Sequence, residues 1–282
     1  MHKEFRADLH CHSTCSDGSF SPLELIALAQ EIGLSALSIT DHDSIYAYTK
    51  ETFQKATSAS IVLVPGIEIS TMLNGSSVHM LAYRFPIDSP EIHALCLRHK
   101  ERRQNRNTEI LDLLKKAGMP ISLSDLPQSS SNDPRELART IGRPHIAEAM
   151  IKKGYVTSIE EAFIKYLGDG RPCYSPGKTI STEETLEIVH RTGALAVIAH
   201  PHLIQNQNVI SALLTLPFDG IECYYAKLSR AHHARWLKIA AKKNWLITGG
   251  SDFHGATKPS SSLGSSWIDE SLFNKVMQKS VG

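Results

Sequence analysis

No apolar run in this chain approaches the roughly 20 residues that a membrane span requires, which predicts a protein without a transmembrane helix. Charge of one sign is also lacking. Thirty lysines and arginines stand against 29 aspartates and glutamates, a formal net charge of +1. No global field gathers nucleic acid, so any preference for anions must come from a local site. Cysteine is sparse. The five, at positions 11, 15, 96, 173 and 223, form no Cys-x-x-Cys and leave no second pair to complete a thiolate zinc site. They read as free thiols in a reducing cytoplasm. The first residues, Met1 to Arg6, run directly into a predicted strand and leave no room for a signal peptide. There is no Walker A loop and no Gly-x-Ser-x-Gly elbow. Internal repeats and long low-complexity tracts are absent as well.

What the chain does have is histidine, 14 residues among 282, and a length sufficient for a substantial core. Five separated stretches carry metal-ligand residue types: Asp8-Leu9-His10-Cys11-His12 followed by Asp17, Thr40-Asp41-His42-Asp43, Glu68 in Pro65-Gly66-Ile67-Glu68, Ala199-His200-Pro201-His202, and Ser251-Asp252-Phe253-His254. Divalent Mn, Fe and Zn accept imidazole and carboxylate, and a carboxylate can bridge two ions. His-x-His on a strand aims both imidazoles at one face and turns Cys11 to the other. In four of the five stretches an apolar run ends just before the ligands, which is where an enzyme built on parallel strands keeps its chemistry. One such pair alone is weak evidence; all five together point to a shared metal site. His2, His93, His99, His190 and His232-His233 read as ordinary helix, terminal or surface residues.

Alternating strands and helices fill the first half. Strands are predicted over residues 5–10, 36–40, 61–69 and 78–85, with Asn74-Gly75 as a tight turn before the last. Ser21-Pro22-Leu23-Glu24 is a capping box with proline at the first helical position, and Gly33 closes that helix. A second helix is expected over residues 44–55. The pattern resumes with a capped helix from Ser181 and strands over 194–199, 218–225 and 245–250. These seven strands, mostly joined by helices, predict an α/β fold of barrel type with right-handed crossovers. Residues 100–172 differ: a polar helix opens at His99, a loop follows at Ser129-Ser130-Ser131-Asn132, and helical patterns recur near 144–153 and 159–167. They read as a small helical insertion capping the barrel mouth, with residues 1–99 and 173–282 forming the barrel domain.

The ligand stretches, in this order and together with Ser16-Asp17-Gly18, His79 and Gly250-Ser251, resemble the polymerase and histidinol phosphatase (PHP) family of metal-dependent phosphoesterases over nearly the whole chain. The resemblance implies a distorted (β/α)7 barrel with two or three metals, of which Mn is the first expectation and Fe or Zn alternatives. It implies one metal held by His10, His12, Glu68 and Asp252, and a second by Asp17, His42 and His254. Glu68 would bridge to a third, completed by His79 and His200, with His79 also readable as a half-buried hairpin residue. Closely spaced divalent ions make hydroxide from a bridging water near neutral pH and clamp phosphoryl oxygens, which favours phosphate ester hydrolysis. The leaving-group acid is His202 or Asp43, each equally readable as a residue that orients a neighbouring ligand.

Gly142-Arg143-Pro144-His145 places proline at a helix start whose amides attract anions, with Arg143 and His145 as phosphate donors. This stretch, with Tyr166-Leu167-Gly168-Asp169-Gly170 and Tyr174, looks like the PHP branch of 3′,5′-nucleoside bisphosphate phosphatases and 5′→3′ exoribonucleases. The resemblance implies a nucleotide or short oligoribonucleotide substrate and no obligate protein partner. Arg102, Arg103 and Arg106, of which 102 and 106 share one helix face, read either as an entry for a polyanion or, more commonly, as a solvated charged face. Histidinol-phosphate phosphatase is the alternative enzyme, and a non-catalytic metal-binding PHP domain the alternative of another class.

Overall fold

The computed structural model describes residues 4–127, 140–226 and 230–279, with 230–232 described by backbone alone. His2, the side chain of His232 and the loop expected at Ser129–Asn132 lie outside the described residues. Three parallel strands form the first sheet, in the order β1 (Ala7–Cys11), β2 (Ala36–Ile39), β3 (Val62–Leu63). Between β1 and β2 runs α1 (Pro22–Glu31), begun by the expected capping box: Glu24 N–H donates to Ser21 Oγ and Ser21 N–H to Glu24 Oε2.

Two features depart from the sequence reading here. The strand expected over 61–69 is broken at Pro65. Proline has no N–H for the ladder, and Gly66 then opens β4 (Gly66–Leu73) in a different sheet. The helix expected from residue 44 starts at Lys50 (α2, Lys50–Ser58). Asp43 takes a left-handed φ of 55°, and the Tyr48 hydroxyl ties the following loop across the strand ends. It donates toward Ile39 O (2.7 Å) and Val64 O (2.9 Å) and accepts Gly66 N–H at 2.8 Å.

The second sheet has the order β4, β5 (Ser76–Tyr83), β6 (Leu195–Ile198), β7 (Gly220–Tyr225), β8 (Leu246–Gly250). β4 and β5 form the hairpin expected at Asn74-Gly75, both turn residues having positive φ. β5 pairs antiparallel with β6, and β6 to β8 run parallel. The described residues thus form eight strands in two sheets, where seven in one distorted barrel were expected. Single bridges rather than continuous ladders join the sheets: Cys11 to Phe253 on one side and His42 to Glu68 on the other. The second joins two expected ligands, and the first lies between the pairs His10/His12 and Asp252/His254.

The central strands β5 and β6 bury apolar residues on both faces. On β5, Val78, Met80 and Ala82 face one core and Leu81 and Tyr83 another; on β6, Ala196 and Ile198 separate in the same way from Leu195 and Val197. The C-terminal α9 (Glu270–Gln278) closes the second core with Phe273 and Val276. The 27-residue α3 (Pro90–Lys116) crosses the boundary expected near residue 99. Its start contributes Ile92, Leu95 and Cys96 to the main core; its end contributes Ile110, Leu111 and Leu114 to a separate cluster. That cluster also takes in α4 (Arg143–Lys152), α5 (Ile159–Ala162) and the wider, π-type turn Phe163–Leu167. The remaining helices are α6 (Thr182–Arg191), α7 (Gln207–Leu213) and α8 (Arg230–Lys243). Among the described residues no helix is long and apolar enough to cross a membrane.

Candidate metal centre

All nine expected ligands converge at the strand ends. His10 and His12 project from β1 and the residue just beyond it, and both are fully buried. Gly250 on β8 makes this possible, since a Cβ there would collide with the backbone and Cβ of His10. Three overlapping groups form, in each of which the donor atoms lie within 4.8 Å of one another: His10, His12, Glu68 and Asp252; His12, Asp17, His42 and His254; and His42, Glu68 and His79. His200 adjoins the third group. Its Nε2 is 2.7 Å from Glu68 Oε1 and 3.3 Å from His79 Nδ1. His79 Nδ1 is itself 2.8 Å from Glu68 Oε1. Glu68 stands at the centre, its Oε2 within 3.3 Å of His10, His12 and His42.

His10 Nε2, both ring nitrogens of His12, Asp17 Oδ1, His42 Nδ1 and Glu68 Oε2 are buried and make no hydrogen bond. Inward-facing lone pairs left this way are costly unless a cation takes them. Burial would raise the carboxyl pKa values of Glu68, Asp17 and Asp252, yet the surrounding histidines hold all three well below the usual range. Burial works against a charged His12, but the Asp252 and Glu68 carboxylates beside it, 3.3 and 3.1 Å from its Nε2, lift its pKa to about 9. His42 in the same cluster goes the other way, burial pushing its pKa down to about 3, so the carboxylates favour positive charge at His12 while His42 stays a neutral, lone-pair donor. The residues fit divalent ions.

A supporting layer escapes notice in the sequence. Glu222 on β7 reaches His10 Nδ1 at 2.9 Å and accepts the His200 N–H at 2.7 Å. The available signal was a carboxylate inside the buried run Gly220–Tyr225. Asp41 accepts Ser13 N–H (2.7 Å) and the hydroxyls of Ser13 (2.6 Å) and Ser16 (2.5 Å), which shapes the loop to Asp17. Tyr225 donates to Asp252 Oδ2 at 2.7 Å, and Lys258 contacts both of them. Cys11 points away from the ligands, its thiol donating to Ser38 O.

A cavity of about 510 Å³ joins the ligands to a basic wall. Asp17, His42, Glu68, His79, His200 and Asp252 line one end, and Arg102, Arg103, Arg106 and Arg143 the other. Arg102, Arg103 and Arg106 of α3 are buried rather than forming a solvated face. Arg103 is paired to Asp43, Nε at 2.7 Å and a terminal nitrogen at 2.5 Å. Arg102 lies 3.7 Å from the same carboxylate. Arg106 has no carboxylate partner among the described residues; one of its terminal nitrogens reaches only Asn107 Oδ1, at 3.3 Å. Arg102 Nε and one terminal nitrogen, and Arg106 Nε, make no hydrogen bond. Burial, then the neighbouring arginines, push the Arg106 pKa well below its ordinary value.

Arg143 is held between the rings of Phe163 and Tyr174 and pairs with Asp169 at 2.7 Å. His145 is buried inside its helix start, where its Nδ1 accepts the Gly142 N–H at 3.0 Å; it does not line the cavity. His202 packs on Tyr225, ring centroids 4.3 Å apart. Asp43 is buried. Burial would raise its pKa, but His99, Arg103 and Arg102 hold it well below the usual carboxylate range. His99, expected as an ordinary helix residue, is fully buried with Nδ1 3.3 Å from Asp43.

Residues 8–169 match the family model of the PHP domain. The 5′-3′ exoribonuclease of Haemophilus influenzae is 33% identical over 255 residues, 88% of this chain and 89% of that protein. The 3′,5′-nucleoside bisphosphate phosphatase of Chromobacterium violaceum is 28% identical over 252 residues, 88% of this chain and 86% of that protein. Among solved structures, a chain described as a metal-dependent phosphoesterase from Bifidobacterium adolescentis superposes with a TM-score of 0.86 at 28% identity, covering 99% of this chain and 97% of that one. The family match runs through the strand ends that carry His10, His12, Asp17, His42, Glu68 and His79, and the chain belongs to the PHP family of metal-dependent phosphoesterases.

Proposed function

We propose that this protein is a hydrolase that removes phosphate from a nucleotide carrying a second phosphate, such as a 3′,5′-nucleoside bisphosphate, or acts at the 5′ end of a short RNA. One observation carries this reading: the cavity that holds the metal ligands also holds buried guanidiniums without full compensation. Four arginines line it, and the carboxylates paired to them among the described residues are Asp43 and Asp169. A dianionic phosphate supplies the missing charge and the acceptors that Arg102 and Arg106 lack. Histidinol phosphate would bring a cationic amine to the same wall, which counts against the alternative enzyme. The names of the relatives, an exoribonuclease and a nucleoside bisphosphate phosphatase, support the same substrate class.

Two or three divalent ions, Mn foremost with Fe or Zn as alternatives, would be held by His10, His12, Asp17, His42, Glu68, His79, His200, Asp252 and His254. Such ions lower the pKa of coordinated water and neutralise charge on the phosphoryl group. The chain's own residues orient and exclude. Residues 100–172 act as a cap that carries the basic wall over a body formed by 1–99 and 173–282; the separate apolar cluster supports this division. Arg102 and Arg106 bind the distal phosphate, and Arg143 shapes the wall between its two rings. Asp43, held ionised by its arginines, does not carry the leaving-group proton; His202, packed on Tyr225 and outside the cavity lining, is left as the candidate acid or as a residue that orients ligand His200. Five free, buried cysteines favour a cytoplasmic setting.

The test is phosphate release by Mn-reconstituted protein from adenosine 3′,5′-bisphosphate, histidinol phosphate and a short 5′-phosphorylated RNA, with Asp252→Asn as control. Release from the bisphosphate, lost in the variant, is the expected result. Faster shortening of RNA moves the assignment to an exoribonuclease. Preference for histidinol phosphate, or silence on all three with metal bound, overturns it.

A further inference from the structure

Asp43 sits where the metal ligands meet the basic wall. It follows ligand His42, and its left-handed backbone turns it out of the strand direction. Its Oδ1 accepts the Ser70 N–H at 2.7 Å, two residues past the central ligand Glu68 on β4. Its Oδ2 takes the fork of Arg103, at 2.7 and 2.5 Å. Arg103 completes the circuit by donating to Ser70 Oγ at 2.9 Å. On the far side, Gly142 leaves room for this guanidinium, since a Cβ there would stand 3.2 Å from it. The Arg103 fork is thus largely taken up by these contacts, while Arg102 and Arg106 on the same helix also line the cavity and keep buried nitrogens that make no hydrogen bond.

A planar guanidinium held through two nitrogens fixes direction as well as distance, unlike a single-point contact. The Asp43–Arg103–Ser70 circuit joins three pieces that meet only through tertiary folding: the loop carrying His42, the strand carrying Glu68, and α3. The span between the ligand cluster and the free nitrogens of Arg102 and Arg106 depends on it.

We infer that Asp43 is a positioning residue: it sets the spacing between the metal ligands and the basic wall, and so makes the site selective for substrates with a second phosphate. This rests on the phosphoesterase reading above. It assigns to Asp43 no contact with substrate and no proton.

The experiment compares adenosine 3′,5′-bisphosphate with adenosine 3′-monophosphate in the Mn-loaded wild type, Asp43→Asn and Arg103→Lys, with bound metal measured in each. Arg103→Lys keeps the charge and removes the fork, so it serves if Asp43→Asn fails to fold. The expected result is a tenfold or larger fall in selectivity for the bisphosphate, expressed in its KM rather than in kcat, with metal content at the wild-type level. An equal loss of kcat on both substrates places Asp43 in the reaction itself and overturns the inference, as does wild-type selectivity in Arg103→Lys. A second measurement does not depend on turnover: calorimetric binding of inorganic phosphate to metal-free protein. Wild type binds, and both single variants and their double combination bind at least tenfold more weakly, the double no worse than either single. Additive losses, or no phosphate binding by the wild type, sink the coupling even if nucleotide hydrolysis stands. A wild type that binds phosphate with the expected coupling but hydrolyses no nucleotide overturns the substrate reading alone.

Discussion

Glu222 supports two of the ligands at once: one carboxylate oxygen lies 2.9 Å from His10 Nδ1, and the other accepts the His200 backbone N–H at 2.7 Å. His10 belongs to the first sheet and His200 to the loop after β6 of the second, so a single side chain sets the relative position of candidate ligands from both sheets. The contact also leaves His10 Nε2 as the nitrogen that faces Glu68 and Asp252.

Replacing Glu222 by glutamine should therefore weaken metal retention. Partners of this kind are worth roughly 10- to 100-fold in metal affinity. Competition against a chelator, followed by metal analysis, checks it; wild-type retention would show that the contact orients nothing.

Arg106→Met should separate function from stability. The buried guanidinium lacks a carboxylate partner, and its removal should raise stability in phosphate-free buffer by about 1–3 kcal/mol. The same change should abolish the stabilisation that added phosphate gives the wild type. Urea denaturation with and without phosphate reads both effects; a variant less stable than wild type in phosphate-free buffer would mean that Arg106 is compensated in the fold.

His99 predicts a pH dependence. Burial pushes its pKa from 6.5 down to about 4, against the attraction of Asp43. Above pH 6.5 the folded and unfolded forms are both neutral at this residue, and stability is full. As pH falls toward 4 the unfolded chain takes up a proton that the folded one refuses, and stability is lost. The loss between pH 7 and 5 comes to about 2 kcal/mol. Denaturant midpoints of wild type and His99→Leu at the two pH values test this, and the variant should show a correspondingly flatter dependence.

Gly177 lies in the left-handed region at φ 63°, and a Cβ there would stand 2.9 Å from the Cβ of Arg106. Gly177→Ala should cost about 1–2 kcal/mol from backbone strain, and it should raise KM for a bisphosphate by displacing Arg106. A thermal melt and a KM measurement follow the two consequences separately.

The ligand set was legible because divalent-metal chemistry restricts the residue types, and because apolar runs ending in His or Asp announce strand ends. All nine positions converge in the structure. The capping box at Ser21 and the Asn74-Gly75 turn were equally readable, since each is decided by contacts within four residues. The late start of α2 was not, because Tyr48 overrides local helix preference with hydrogen bonds to Ile39, Val64 and Gly66 on neighbouring strands.

The chain by itself determined which side chains are candidate metal ligands and that strands would carry most of them, since both follow from residue type and short spacing. Only the tertiary structure decided that Glu222 supports His10 from 212 residues away, and that Asp43 anchors an arginine 60 residues on. It also decided that Arg102 and Arg106 face a cavity rather than water. A polar helix face reads the same in sequence whether solvent or a second wall covers it; packing α3 against the strand ends removes the water and leaves those guanidiniums facing the metal ligands across one cavity.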